Sequence, residues 1–371
     1  MSARQALVDT TMKKIPQLDA VRGLAVLLVL MHNTDRYPAL HLHLISDNGW
    51  MGVDLFFVLS GLLITRILLD TKESAGYFKN FYARRCLRIW PLYYAVLLFM
   101  FVIVPILRPS EAHTVFEARS SPWWAYPLFL QNFLVPIPSA ATGALGVTWS
   151  LAIEEQFYLV WPWVVRFCNE AQLRKVAIAV ICCSPALRYY LSLHQVDIYS
   201  NTFCRLDGLM AGALLALIIR SVEFSPSKFL TRAWLIFLVS VPLALVIEAL
   251  HARWIGFSVI ALASVSFVYL ALFSTQGCLR VLLTNRFLVY TGTISYGIYL
   301  LQKIPLDVAK TFHLDKHQFL ALPMTAVATY GMAAISWNML EKPILKLKRF
   351  FEPKSVRPDQ ADGGLLSLVA R

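Results

Sequence analysis

Charged side chains are scarce in this sequence. Asp, Glu, Lys and Arg make up 15% of its 371 residues, whereas soluble domains average about 25%. No polar stretch of domain size separates the apolar runs that recur from residue 20 to residue 340. This shortage of charge excludes a set of ordinary soluble domains. It indicates an integral membrane protein built as one helical bundle.

Cysteines and processing signals are also few. Of the six cysteines, only Cys204 is predicted near the outer face, so we expect no structural disulfide. No small-residue cleavage site follows the first apolar run, so the first helix is expected to stay in the membrane as an anchor. His41 and His43 form a pair, but no further ligand spacing supports a metal site.

The chain contains many apolar runs that are long enough to cross a membrane. A helix needs about 20 mostly apolar residues to cross a bilayer. We predict an all-α, polytopic integral membrane helical bundle with about ten transmembrane helices. The predicted spans are residues 17–35, 50–69, 89–107, 146–167, 174–192, 203–219, 233–250, 254–275, 286–305 and 319–340. Residues 120–138, aromatic and broken by prolines, are predicted to form a re-entrant or interfacial segment on the outer side.

The basic residues orient the bundle, because cytoplasmic loops carry an excess of Lys and Arg. Most of the 34 basic residues fall on the side that holds both ends of the chain. The opposite side holds Arg36, Arg108, Arg119, Arg253, Lys303, Lys310 and Lys316. Both termini are therefore predicted to be cytoplasmic. The net charge of +12 then lies at the cytoplasmic leaflet of the inner (plasma) membrane, where it would contact membrane lipids rather than nucleic acid.

This orientation divides the chain into three parts. Residues 1–15 are predicted to be a cytoplasmic N-terminal segment, and residues 16–345 form the membrane domain. Residues 346–371 are predicted to be a cytoplasmic tail, which is polar and disordered.

Ionisable residues inside predicted spans are candidates for function, since burying them in a membrane is costly. Arg22 and His32 lie in the first span, ten residues and therefore about 15 Å of helix apart. Histidine exchanges protons near neutral pH, so His32 is a candidate general base. The alternative is an interfacial histidine bonded to a neighbour.

Two adjacent carboxylates, Glu154 and Glu155, lie in the fourth span. Ser150 shares a helix face with Glu154, while Glu155 points about 100° away. Buried carboxylates need partners or protons. One could orient the imidazole of His32, and the other could pair with an arginine for structural reasons. The residue types do not decide which of the two is functional.

Three arginines, Arg84, Arg85 and Arg88, precede or begin the third span. The guanidinium group suits phosphates. Their alternative role is that of a positive anchor at the cytoplasmic surface.

Polar residues also occur in the sixth span. Arg205 and Asp207 begin this span, beside a stripe of small residues that includes Gly208 and Gly212 and favours close helix packing. These two residues, with Ser150 and Asp54, are predicted to contact substrate or to form structural pairs.

Six segments resemble, in this order, the acyltransferase-3 family of membrane O-acyltransferases, over roughly residues 15–345. They are LDAVRGLAVLLVLMHN, NGWMGVDLFFVLSGLLIT, FYARRCLRIWPLYY, TWSLAIEEQFYLVWP, RLDGLMAGALLA and ISYGIYLLQKIPL. The resemblance implies a ten-helix domain that transfers an acetyl or other acyl group from cytoplasmic acyl-CoA, usually acetyl-CoA, to a hydroxyl. The acceptor would be a cell-envelope polysaccharide, a lipid-linked sugar or another glycosylated molecule. Acyl-CoA is expected as a donor substrate, with no permanently bound cofactor.

The resemblance also implies roles for the candidates. The family's first-helix arginine and histidine match Arg22 and His32, and its paired glutamates match Glu154 and Glu155. The family's arginines before the third helix match Arg84, Arg85 and Arg88. We hypothesise that the arginines attract CoA and that His32, oriented by a glutamate, acts as base or acyl carrier. The chain departs from the family at Gln302, where a histidine is frequent.

Two other classes of function are compatible with intramembrane charges. A transporter or flippase of a lipid-linked sugar would line a translocation path with such groups and need no acyl-CoA. A signalling or scaffold protein would leave the buried Glu and His groups unexplained. The ordered motifs favour the acyltransferase over both.

Overall fold

The protein is a bundle of α-helices. A computed structural model describes residues 15–33, 47–107, 122–134, 140–221, 224–274, 276–311 and 318–352. We number the longer helices in chain order. They are α1 Pro16–Asn33, α2 Gly52–Asp70, α3 Tyr77–Leu98, α4 Thr148–Phe167, α5 Glu170–Leu193, α6 Thr202–Arg220, α7 Pro226–Ala249, α8 Arg253–Phe273, α9 Arg286–Thr293, α10 Ser295–Leu301, α11 Lys303–Thr311 and α12 Gln318–Ser336. The His41/His43 pair and the tail beyond residue 352 lie outside the described residues, as does nearly all of the N-terminal segment.

The prediction of a helical membrane protein is confirmed. Six helices in the described part of the chain are long and apolar enough to cross a membrane. They are Gly49–Asp70, Tyr77–Ile106, Glu170–Leu193, Thr202–Arg220, Pro226–Ala249 and Arg253–Phe273. Helices also occupy the other predicted spans, but the count of ten membrane crossings stays a prediction.

The third helix differs most from its predicted bounds. It begins at Tyr77, twelve residues before the predicted start at residue 89. It continues beyond Leu98 through a π-helical turn, Phe99–Ile103, and a last turn, Val104–Leu107. The sequence analysis placed the three arginines before or at the start of this span. In the structure they lie well inside α3 and are partly buried against other helices.

Helices α2 and α6 form the centre of the bundle. In the most apolar stretch of each, 67% of the residues are buried, against 17% in α5 and α7. The predicted small-residue stripe makes this contact possible. A Cβ atom at Gly212 would stand 2.0 Å from the Val58 carbonyl oxygen, and one at Gly61 would stand 1.9 Å from that of Leu209. Each helix thus uses a glycine to admit the backbone of the other.

Replacing Gly212 with alanine is expected to destabilise the protein by about 1–3 kcal/mol, because the added methyl group meets backbone that cannot move aside. The midpoint of thermal unfolding in detergent micelles measures this loss. Gly331→Ala is the matched control, since a Cβ there would meet no atom within 4 Å. An equal shift for both variants would contradict the packing argument.

The ninth predicted span, residues 286–305, is divided into α9, α10 and the start of α11. Glycine weakens a helix interior, and Gly292 instead lets α9 approach α1, where a Cβ atom would stand 1.7 Å from the Asp19 carbonyl oxygen. The division leaves α10 as a separate short helix packed against α1, α3 and α12.

The aromatic segment 122–134 packs against α3 and α4. Tyr93 donates a hydrogen bond to the Tyr126 carbonyl at 2.7 Å, and Tyr94 donates one to the Pro127 carbonyl at 2.9 Å. Gln156 donates to the Phe129 carbonyl at 2.7 Å. These bonds satisfy backbone groups that no regular helix satisfies. The predicted location of the segment at the outer membrane surface stays a prediction.

Candidate functional site

A cavity lies between α1, α2, α3, α4 and α10. Its empty space, with the open mouth included, is about 770 Å³. It extends along α4 from Ser150 to Tyr158, a helix rise of about 12 Å. The lining residues are Arg22, Val53, Phe56, Phe57, Ser60, Arg85, Arg88, Ile89, Ser150, Leu151, Glu154, Tyr158, Ser295, Tyr296 and Tyr299.

Three arginines from two helices form what we call the cationic end of the cavity: Arg22, Arg85 and Arg88. Arg22 pairs with Asp19 of its own helix at 3.0 Å. Within the described residues, Arg85 and Arg88 have no carboxylate within ion-pair distance. These two guanidinium groups face aromatic rings instead. The cationic end therefore has more positive than negative charge and is suited to an anionic ligand.

The rings that hold the two arginines come from α4 and from the turn after α12. The guanidinium carbon of Arg85 lies 5.4 Å from the centre of the Tyr158 ring, and that of Arg88 lies 5.9 Å from the centre of the Trp337 ring. Such cation–π contacts stabilise a guanidinium group while leaving its N–H groups available to a ligand.

Glu154 is the carboxylate that lines the cavity. Ser60 donates to its Oε1 at 2.7 Å, and Tyr158 donates to its Oε2 at 3.0 Å. Both of its carboxyl oxygens thus accept hydrogen bonds from the protein. Glu154 places a hydrogen-bonded carboxyl group in the cavity, where the charge of Arg85 acts on it.

Glu155 points elsewhere, as the helix geometry predicts. Its Oε2 accepts a hydrogen bond from Trp90 of α3 at 3.2 Å, and Glu155 is not among the residues that line the cavity. The sequence left the choice between the two carboxylates open. The structure favours Glu154, because a ligand in the cavity would contact it.

Ser150 lines the other end of the cavity, where it shares a short hydrogen bond with Tyr299 of α10. Tyr299 in turn donates to the Val147 carbonyl at 2.9 Å. Gln302, the residue directly after α10, is buried and donates a hydrogen bond to the Tyr299 carbonyl at 2.9 Å. These bonds set the position of a hydroxyl pair at the cavity wall.

His32 is not brought together with these groups. It lies in the last turn of α1, beside the turn Gly49–Met51, and it does not line the cavity. The hydrogen bonds of Glu154 go to Ser60 and Tyr158 rather than to an imidazole. Arg84 is also outside the lining, half-buried on α3.

Arg205, Asp207 and Asp54 belong to a separate buried network. Arg205 pairs with Asp54 of α2 at 2.9 Å, and Asp207 pairs with Arg188 of α5 at 2.9 Å. Ser258 of α8 donates to Asp207 at 2.7 Å. These contacts correspond to the structural alternative of the sequence analysis. The pairs join the central helices to one another, and their residues do not line the cavity.

Glu341 is a buried carboxylate that the sequence analysis missed. It ends the π-helical turn Trp337–Glu341, just beyond the predicted tenth span, and accepts a hydrogen bond from Ser336 at 3.1 Å. Its charge acts on Arg88. The signal in the sequence was an acidic residue at the start of the otherwise basic stretch 341–351. π-Helical turns are frequent at functional sites.

Comparison with known proteins identifies the family of this chain. The sequence profile of the acyltransferase-3 family, described as an acyltransferase domain, matches residues 15–340. The chain belongs to the acyltransferase-3 family. The predicted resemblance is thereby confirmed, and the match includes every helix that lines the cavity.

Three relatives with similar sequences are named as O-acetyltransferases. A putative peptidoglycan O-acetyltransferase of Bacillus subtilis is 29% identical over 89% of this chain and 55% of the relative. The peptidoglycan O-acetyltransferase of Listeria monocytogenes is 28% identical over 90% of this chain and 56% of the relative. A putative O-acetyltransferase of Staphylococcus aureus is 25% identical over 90% of this chain and 58% of the relative. The chain therefore spans little more than half the length of these relatives. No solved structure gives a significant match.

Proposed function

We propose that this protein transfers an acetyl group from cytoplasmic acetyl-CoA to a hydroxyl of a cell-envelope polysaccharide. The observation that carries the proposal is the cavity in which Arg22, Arg85 and Arg88 lie at one end and Glu154 lies beyond them. Similarity to peptidoglycan O-acetyltransferases supports an envelope glycan, or its lipid-linked precursor, as the acceptor.

The donor part of the proposal rests on charge and length. CoA carries its phosphates at one end and its thioester at the end of a long, flexible arm. The cationic end would bind the phosphates, because guanidinium groups form charge-assisted bonds to phosphate oxygens. The arm would then extend along α4, past Glu154 and towards Ser150. The positive-inside orientation supports entry of the donor from the cytoplasm.

The transfer itself exchanges one bond for another. The acceptor oxygen attacks the thioester carbon, a C–O bond forms, and the C–S bond breaks. The hydroxyl proton passes to a base and then to the departing CoA thiolate. We propose Glu154 as the base in the cavity, since its carboxylate lies along the path of the thioester. His32, about 15 Å along α1 from Arg22, is proposed to act where the acceptor enters.

The test of this proposal uses acetyl-CoA with a labelled acetyl group and the purified protein in lipid nanodiscs. Incubation with a lipid-linked envelope glycan is expected to place the label on the glycan, and mass spectrometry should detect the added acetyl group. Movement of the glycan across the membrane without acetylation would contradict the proposal and favour a flippase.

His32→Ala is expected to abolish acetylation of the glycan at an unchanged protein level, while CoA still binds. Acetylation is lost because His32 is proposed to act where the acceptor enters. CoA binding persists because His32 lies outside the cavity that would hold CoA. Mass spectrometry of the glycan and a CoA-binding measurement check the two parts separately. His194→Ala, at an exposed position after α5, is the control. Wild-type acetylation by His32→Ala would exclude His32 as an essential residue.

A further inference from the structure

The last described segment of the chain, a 3-10 helix at Lys346–Phe351, packs against α3. Among the three basic residues of this segment, Lys348 is partly buried, while Lys346 and Arg349 are exposed. Lys348 lies outside the predicted spans, in the part of the chain predicted to be cytoplasmic. The sequence analysis placed this stretch in a disordered tail, whereas the structure places its first residues against the helix of the cavity arginines.

Lys348 has a strongly cationic environment. The charges of Arg88, Arg85, Arg84 and Arg22 all act on it. The elements packed against its segment carry a further set of charged groups. These are Lys79 on α3, Glu341 and Lys342 before the segment, and Asp19, which pairs with Arg22. With the four arginines included, cations outnumber carboxylates around Lys348, so too few negative charges offset the repulsion between the positive ones.

Such a cluster is unfavourable unless an anion joins it, since like charges in a partly buried site repel. Burial, together with the four arginines, lowers the pKa of Lys348 to about 7, whereas a free lysine titrates near 10.4. Without a bound anion, we therefore expect this amine to be partly neutral near pH 7. A bound anion would reverse the effect by favouring the charged amine.

We propose that Lys348 belongs to the site for the donor's phosphates and takes up a proton when the anionic donor binds. This inference rests on the proposed function. The ligand chemistry is that of a phosphate oxyanion, for which Lys348 adds a fourth basic side chain to Arg22, Arg85 and Arg88. A lipid headgroup would offer the same chemistry, and the experiment separates the two sources.

The experiment is titration calorimetry with CoA at pH 8, with the protein in neutral maltoside micelles and in two buffers of different ionisation enthalpy. The wild type is expected to take up roughly one proton per CoA, because linkage ties binding of the anion to protonation of Lys348. Phosphate monoesters have their second pKa near 6 and contribute little at pH 8.

Substitutions identify the side chain that takes up the proton when CoA binds. Lys348→Met is expected to bind CoA roughly tenfold more weakly below pH 7 and to take up no proton, since it loses a charged hydrogen-bond donor. Lys348→Arg keeps the charge at every pH, so it should bind CoA without proton uptake, and it serves if the methionine variant does not fold. Lys346→Met, at an exposed position of the same segment, should match the wild type.

Four results would overturn the inference. Unchanged proton uptake in Lys348→Met would assign the proton to another group. Proton uptake on adding phosphatidylglycerol, with none on adding CoA, would identify a lipid phosphate as the ligand. Failure of the wild type to bind CoA, while it still acetylates the glycan, would overturn the CoA donor as well. Normal CoA binding without proton uptake would overturn only the role of Lys348.

Discussion

Replacing Glu154 with glutamine is expected to lower the rate of acetyl transfer by about 10²–10⁴-fold, the usual contribution of a positioned acid–base group. The substitution keeps the volume of the side chain and removes its charge. Glutamine can still accept a bond from one of its two neighbours, Ser60 and Tyr158, so the fold is expected to persist. The turnover rate at saturating acetyl-CoA measures the effect.

Glu155→Gln is the matched comparison, because it makes the same change one residue along the helix. Glu155 contacts Trp90 and does not line the cavity, so we expect a loss of less than about tenfold, outside the range of an acid–base group. Equal losses in the two variants would show that the carboxylates act together. A normal rate in Glu154→Gln would exclude the proposed base.

The second large effect is expected at the pair of Arg205 and Asp54, whose side chains are 1% and 3% exposed. Asp54→Ala leaves the guanidinium group of Arg205 buried without a counter-charge. Breaking a buried ion pair in this way typically costs about 3–5 kcal/mol. Unfolding of the purified protein by a denaturing detergent, followed by circular dichroism, measures the loss.

Two further variants show whether this pair is structural. Replacing both residues, as Asp54→Leu with Arg205→Met, is expected to restore most of the stability, because no unpaired charge remains. Glu73→Ala breaks an exposed pair with Arg166 and should cost at most about 1 kcal/mol. Normal stability of Asp54→Ala, combined with weaker acceptor binding, would instead show that the pair contacts substrate.

The identity of the acceptor is a separate question from the effects at Glu154 and at the Arg205–Asp54 pair. The chain spans little more than half of the relatives it matches. Assays with the glycan should therefore compare peptidoglycan precursors with other envelope polysaccharides as acceptors.

The sequence alone determined the class of the protein. Apolar runs and the low charge content predicted helices in a membrane, because the bilayer admits only segments that satisfy their own backbone hydrogen bonds. The small residues around Gly212 predicted a close helix contact, and α2 supplies its partner through Gly61. Ordered motifs identified the family. Each of these signals can be seen along the chain itself, so none of them depends on knowing which helices pack together.

Only the tertiary structure decided which charges meet. Asp54 and Arg205 are 151 residues apart in the chain, and no local pattern joins them. Glu154 and Glu155 are neighbours whose environments differ, because each faces a different helix. Lys348 approaches the cavity arginines only because the segment after α12 packs against α3. The partner of a buried charge depends on helix packing across the whole bundle, whereas the sequence specifies only where the charges lie along each helix.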